Sequence, residues 1–433
     1  MFRKLFATSV VAAVFLFPTM TTPTIAADPV VEKKTDEQLK ETALALNELT
    51  SAEGMNAKLK ELAKDKESAK RLVTLAATMH KEQVEKKPPF KYNAALVLGN
   101  LSASVKDVGN AELFFEFCFE SAAKTQSGKR MLTAYEGLVD VYWQQKKFKE
   151  AEELIRKVID TNGDEEFERK KLIVMEQLVR TKVKLGDTDE ALQIVDNLIS
   201  LDKGGWYFVQ LKGTVLREVG KFKEAIVVYE DVVARLKKAK VPVDKKVREA
   251  YSQRARYVLS SLYVDTKDIE KAAETLQALI KDDPENSTYY NDLGFIWVDN
   301  DMKLDESETM IRKAIELDAA LRKKLLDEGK IPEELAKAEN SAYLDSLGWV
   351  LFKRGKFEEA YKYLDKASQD PEEGNHIEIW DHVADCLVAL DRKKEAVAVW
   401  TKALKLEDLT KRDAERRKKI TEKLKKTKAE LAK

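Results

Sequence analysis

Apolar residues recur every three to four positions along almost the whole chain, the period of one face of an α-helix, and no run alternates long enough to read as a strand. Residues 36–86 carry Leu39, Leu44, Leu46, Leu59, Leu62, Leu72, Val73 and Leu75 among charged neighbours and stop at Pro88. This predicts helices that act as an N-terminal cap or as a degenerate copy of the pattern that follows, within a segment bounded at 27–91. From Tyr92 onward one arrangement recurs. It is clearest at Tyr290, Leu293-Gly294, Trp297, Ser307, Ile311 and Ala314, and again at Leu344, Leu347-Gly348, Leu351, Gly355, Phe357, Ala360, Leu364 and Ala367. The same template places Leu98-Gly99, Ala111 and Phe115, then Tyr135, Leu138, Tyr142, Phe148 and Ala151. It continues through Leu172, Leu178, Gly186 and Ala191, then Trp206, Gly213, Gly220 and Ala225, then Leu259, Tyr263 and Ala272, and finally Trp380, Ala384, Ala396 and Trp400. The starts at 172 and 206, and at 253 and 287, are both 34 residues apart.

Two antiparallel helices approach closely only where side chains are small, so Gly or Ala is expected at each crossing, with Leu, Tyr, Phe and Trp beside it. Such a pair cannot cover its own apolar face; stacked neighbours can. Pro88, Pro89, Pro242, Pro284, Pro332 and Pro371 all fall between the expected helices, where a missing N–H costs nothing. The recurring residues resemble those of tetratricopeptide repeats. The resemblance implies an all-α fold, a right-handed superhelical solenoid of about eight helix-turn-helix repeats over 92–410. Two places depart from the period: a basic extension at 237–246, and an insertion near 322–340 expected to lengthen the first helix of the next repeat, with a fresh helix start after Pro332. Residues 411–433 hold 11 Lys/Arg against 4 Asp/Glu, with Ile420 and Leu424 spaced i, i+4, and predict a basic, weakly amphipathic C-terminal capping helix.

At the other end, Arg3 and Lys4 precede an apolar run from Leu5 to Phe17 and the small-residue exit Ile25-Ala26-Ala27. This predicts a signal peptide over 1–26, cut after Ala26 or Ala27. The chain is then exported: periplasmic or in the cell envelope if bacterial, as the repeat style around Asn340–Val350 suggests, and otherwise secreted. No other stretch reaches the roughly 20 apolar residues of a membrane span, so no integral membrane segment is expected after cleavage. Cys118 and Cys386 are too few for a disulfide framework and read as buried free thiols. The chain's 76 basic and 76 acidic residues balance, which argues against a globally basic nucleic-acid binder and against sequence-specific nucleic-acid recognition. That balance conceals segregation: residues 27–410 hold 63 basic against 72 acidic residues, and the tail is the opposite.

No phosphate-binding Gly-rich loop, metalloprotease helix or nucleophile elbow is present, so the chain reads as non-enzymatic and without a cofactor. The one denser neighbourhood is His376, Asp381, His382, Asp385 and Cys386, where His382 and Cys386 share a helical face and could share a metal; packing explains Cys386 better. Function must then come from a surface. The resemblance implies a groove lined by the first helix of each repeat. Its C-terminal half carries Tyr257 and Asp265; Asn291, Asp292, Phe295 and Asp299; Asp345, Trp349 and Phe352; and Asp381, His382 and Asp385. The N-terminal half is mixed, with Glu136, Asp140, Trp143, Glu176, Arg180, Lys184, Tyr207 and Arg217. Acids at the C-terminal positions do not suit the family's capture of acidic tails. Exposed aromatics among carboxylates would instead favour a basic or amphipathic protein segment. The expectation is an interaction scaffold or adaptor; the alternative is tethering to an anionic polymer or membrane surface through the basic tail.

Overall fold

The computed structural model describes residues 34–83, 88–202, 205–238, 244–371, 373–406 and 411–432, so the expected signal peptide and residues 239–243 of the basic extension lie outside them. Among the described residues there is no strand. Three helices, α1 (Asp36–Ala45), α2 (Ala52–Leu62) and α3 (Lys66–Gln83), precede the repeats. The repeat pairs are α4 (Tyr92–Ser104) with α5 (Val108–Lys124), α6 (Gly128–Gln144) with α7 (Phe148–Asp160), and α8 (Glu165–Leu185) with α9 (Thr188–Leu201). Then come α10 (Tyr207–Glu218) and α11 (Phe222–Lys238), α12 (Lys245–Asp265) with α13 (Ile269–Asp282), and α14 (Ser287–Asp299) with α15 (Leu304–Asp327). A short α16 (Glu333–Lys337) leads to α17 (Ser341–Lys353) with α18 (Phe357–Ser368), α19 (Ile377–Ala389) with α20 (Lys393–Ala403), and α21 (Lys411–Leu431). Two compact units result, one holding α1–α10 and the other α11–α21.

The turn inside each pair has one solution. The residue after the first helix's C-cap takes positive φ at Lys106, Lys146, Gly220, Lys267, Gly355 and Asp391, and at Gly186 the C-cap itself does. The next N–H then reaches back five residues, as in Lys147 N to Tyr142 O at 2.8 Å and Arg392 N to Leu387 O at 2.8 Å, satisfying carbonyls the helix end would leave open. The α14–α15 turn carries the extra residue read from sequence, with Asp301 and Lys303 both at positive φ. At the crossings, Gly is required by space. A Cβ on Gly348 would lie 2.5 Å from the Leu364 side chain, and one on Gly294 would lie 2.7 Å from Ile311 and 2.9 Å from the Ser307 carbonyl.

In the first unit, Phe114, Phe115, Leu98, Leu101, Leu138 and Ile155 are fully buried and belong to one continuous core. In the second, Val350, Leu364, Ala384, Trp400 and Ile420 do the same, so α21 shares that unit's core. The insertion corrects one expectation. It lengthens α15, the second helix of its own repeat, and leaves α17 at ordinary length. No breaker interrupts the sequence until Gly329, whose positive φ ends the extension, and Lys330 N then bonds Leu325 O at 2.8 Å. Pro332 does start a helix, the five-residue α16, onto which Arg322 Nη1 reaches through the Leu335 carbonyl at 3.1 Å.

Candidate functional site: an acidic wall and the basic helix seated on it

In the second unit the first helices of successive repeats, α12, α14, α17 and α19, present the wall whose residues the sequence singled out. Helical spacing places Asp345, Trp349 and Phe352 on one face of α17, and Glu378, Asp381, His382 and Asp385 on one face of α19. Helix α21 packs on α19 of this wall and on α20 beside it, and its cations meet carboxylates of α12 and α19.

Arg412 donates to Asp265 Oδ1 at the end of α12, 2.8 Å from Nε and 2.6 Å from Nη2, across 147 residues of sequence. One turn later Arg416 pairs with Glu378 and donates to Asp381 Oδ2 at 3.3 Å. Lys423 donates to both Asp381 oxygens, at 2.9 and 3.1 Å, and to Asp385 at 2.6 Å. Asp381 also accepts from Trp400 Nε1 at 2.9 Å. Burial alone would raise the Asp381 pKa, but Lys423, with His382 and Arg416, outweighs it and holds the carboxyl below the usual range. Asp385 moves the other way, raised first by burial and then by the Asp381 charge beside it. Ile420 and Leu424, on either side of Lys423, enter the core, and Arg417 caps the C-terminal carbonyls of α20, reaching Leu404 O at 2.6 Å.

Beneath Arg416 sits His382, with no solvent exposure. Its Nδ1–H donates to Asp345 at 3.0 Å, which leaves Nε2 to accept from Arg416 Nη1 at 3.3 Å. Burial lowers the imidazole pKa, but Asp345 and Glu378 together outweigh it, and the net shift is upward. The ring stacks on Trp349 at 4.1 Å between centroids, and Trp349 stacks on Phe352 at 4.9 Å. Phe295 lies 6.4 Å from the same imidazole. Further along, Tyr257 donates to Asp292 at 2.6 Å and Asn291 donates to its other oxygen at 3.3 Å; burial raises the Asp292 pKa. Asp299 is exposed.

All twelve wall residues therefore belong to one unit, but their roles differ from expectation. The aromatic anchors are not exposed: Trp349 and the polar Asn291, Asp345, Asp381 and His382 are all buried. Asp265, Asp381 and Asp385, with Glu378 beside them, meet basic side chains, whereas Asp345 and Asp292 are held by neighbours on the wall itself. His382 and Cys386, on one face of α19, each have other partners. Both His382 nitrogens are engaged, and the Cys386 thiol donates to the Phe357 carbonyl at 3.3 Å, with burial pushing its pKa up to about 12. Among the described residues no cluster of His, Cys, Asp and Glu is arranged to hold a metal. Sequence reasoning missed the partner residues Arg412, Arg416 and Lys423, and the Trp400 indole that orients Asp381.

The corresponding positions of the first unit satisfy one another. Tyr207 donates to Glu176 at 2.5 Å, Arg180 donates to Glu176 at 2.8 Å, Lys184 pairs with Glu218, and Trp143 donates to Thr181 at 3.2 Å. Asp140 is left with a pKa raised by burial.

Three segments match known families: residues 131–162 and 216–293 match the tetratricopeptide repeat, and residues 322–403 match the family described as anaphase-promoting complex, cyclosome, subunit 3. A TPR repeat-containing protein of Pseudomonas aeruginosa is 26% identical over 113 residues, 26% of this chain; the match spans only 16% of that relative's length. Among solved structures, a tetratricopeptide repeat protein of Parabacteroides merdae covers 71% of this chain and 98% of its own, at 14% identity and a TM-score of 0.43. MamA of Desulfovibrio magneticus covers 43% of this chain and 94% of its own, at 23% identity and a TM-score of 0.32. With the helix pairs, the recurrent turn and the small-residue crossings already in place, these family matches identify the chain as a tetratricopeptide repeat protein.

Proposed function

We propose that this protein is an exported interaction scaffold whose second unit binds a basic, amphipathic segment of a partner protein on the wall of α12, α14, α17 and α19. The observation that carries this reading is α21 itself: a basic helix held on that wall by three cations, each facing a carboxylate. Charge complementarity supplies register and association rate, and the aliphatic positions supply contact area. Among the described residues no helix is long and apolar enough to cross a membrane. The export part of the proposal rests on the sequence of residues 1–27 and carries its own test: the mass of the mature chain should place its first residue at Ala27 or Asp28.

The binding part is tested by a photo-crosslinking residue placed at Asp299, exposed on the wall, and at Val227, exposed on the second helix of its repeat, in the producing cell. Adducts to a protein with a basic segment at 299 but not at 227 support the wall. Equal adducts at both positions, or none at 299, remove it. Tethering through α21 to an anionic surface is less well supported, because Arg412, Arg416 and Lys423 are already engaged by the wall.

A further inference from the structure

We propose that α21 is an internal competitor for the wall: the partner's helix repeats its pattern, and α21 must leave before that helix can enter. This deepens the reading that the wall is the binding surface, and rests on it.

A helix that merely closed the stack would need only α19 and α20. Helix α21 packs on both, and at its first turn Arg412 also reaches Asp265 of α12, so its cations follow acidic positions of the wall as well as the edge of the last repeat. Its two halves are held differently. Arg412 is 57% exposed, and its attachment to Asp265 is electrostatic and sensitive to salt, whereas Ile420 and Leu424 are in the core. The arginine end is therefore the part that can exchange first.

What α21 leaves behind defines what can replace it. Without it, Asp265, Glu378, Asp381 and Asp385 lose the cations that face them, with Asp299 nearby, and His382 Nε2 loses its donor. Clustered like charges without counter-ions repel one another, so the uncovered wall selects a cationic helix. The required spacing is that of residues 412, 416, 420, 423 and 424: basic, basic, aliphatic, basic, aliphatic, all on one helical face. The position over His382 must supply an N–H donor. Because α21 is covalently attached, its effective concentration at the wall is on the order of millimolar, enough to hold off a free helix of equal intrinsic affinity.

The test uses the full chain and a fluorescently labelled synthetic peptide of residues 411–431, read by anisotropy. Arg416→Ala with Lys423→Ala loosens α21 in the chain; Arg412→Glu, at an exposed position, is the second variant and leaves the core untouched. The double variant should bind the peptide roughly tenfold more tightly than the unaltered chain, with Arg412→Glu in between. The same two alanines in the peptide should abolish the gain. Equal affinity for all three chains, or no binding to the double variant, overturns the proposal. If the peptide fails while crosslinks at position 299 persist, this inference alone is lost; if those crosslinks also vanish, the wall itself is the wrong surface.

Discussion

Asp381→Asn is the most informative single change, because Asp381 is the residue on which the wall and α21 converge. The substitution preserves shape and can keep the acceptor for Trp400, but removes the charge facing Lys423 and Arg416. Its side chain is 2% exposed, whereas Lys423 and Arg416 are 33% and 21% exposed, so the interaction is neither a surface pair nor a sealed one. Surface pairs contribute about 0.2–1 kcal/mol, and breaking a buried pair costs about 3–5 kcal/mol. Lys423 keeps Asp385 and Arg416 keeps Glu378, which places the loss near the middle, about 2 kcal/mol. At about 1.4 kcal/mol per decade, the opening of α21 becomes about 30-fold more frequent. Amide hydrogen exchange followed by mass spectrometry reads this directly: peptides covering 411–431 should exchange about 30-fold faster while those from α4–α7 stay unchanged. Unchanged exchange in α21, or acceleration spread evenly over the chain, would refute the reasoning.

Two further outcomes follow from the same geometry. The imidazole C–H resonance of His382 should titrate above its ordinary value; Asp345→Asn should bring that value down, and Arg416→Ala should raise it further, because the guanidinium opposes protonation. The folded value is the higher one, so the stabilisation from the Asp345–His382 pair is complete below about pH 6.5 and is lost as pH rises through the folded value. Gly348→Val should destabilise the second unit by about 1–3 kcal/mol, since its Cβ would meet Leu364 and the Ala360 carbonyl; an unchanged melting temperature would show that the crossing can widen.

Much of the fold is legible in the sequence, because repeats are local. Small residues at crossings, breakers between helices and the 34-residue period each act over a few turns of chain, and the helix pairs fall where those signals put them. The insertion departs from expectation for an equally local reason. Pro332 marks a helix start, but the unbroken run from Leu304 to Asp327 already extends the preceding helix, and only Gly329 stops it. The wall was legible as a set of acids and aromatics on one helical face, and the tail as a basic helix with Ile420 and Leu424 inward. That the tail lies on the wall was not legible, since the contact from Arg412 to Asp265 spans 147 residues and its only trace in sequence is the opposite charge of the two segments. His382 lies under Arg416 and stacks on Trp349, neither of which periodicity encodes.

The central claim, that this wall binds a basic helix and that α21 occupies its place, is tested most directly by locking α21 down. Asp265→Cys with Arg412→Cys puts two reactive thiols where the wall and the helix meet, while Cys118 and Cys386 stay buried. Before cross-linking, with the ion pair gone, this chain should bind the labelled 411–431 peptide more tightly than the unaltered protein. After treatment with a short bismaleimide, binding should be lost. Undiminished binding by the cross-linked chain would show that the peptide sits elsewhere and would contradict the account.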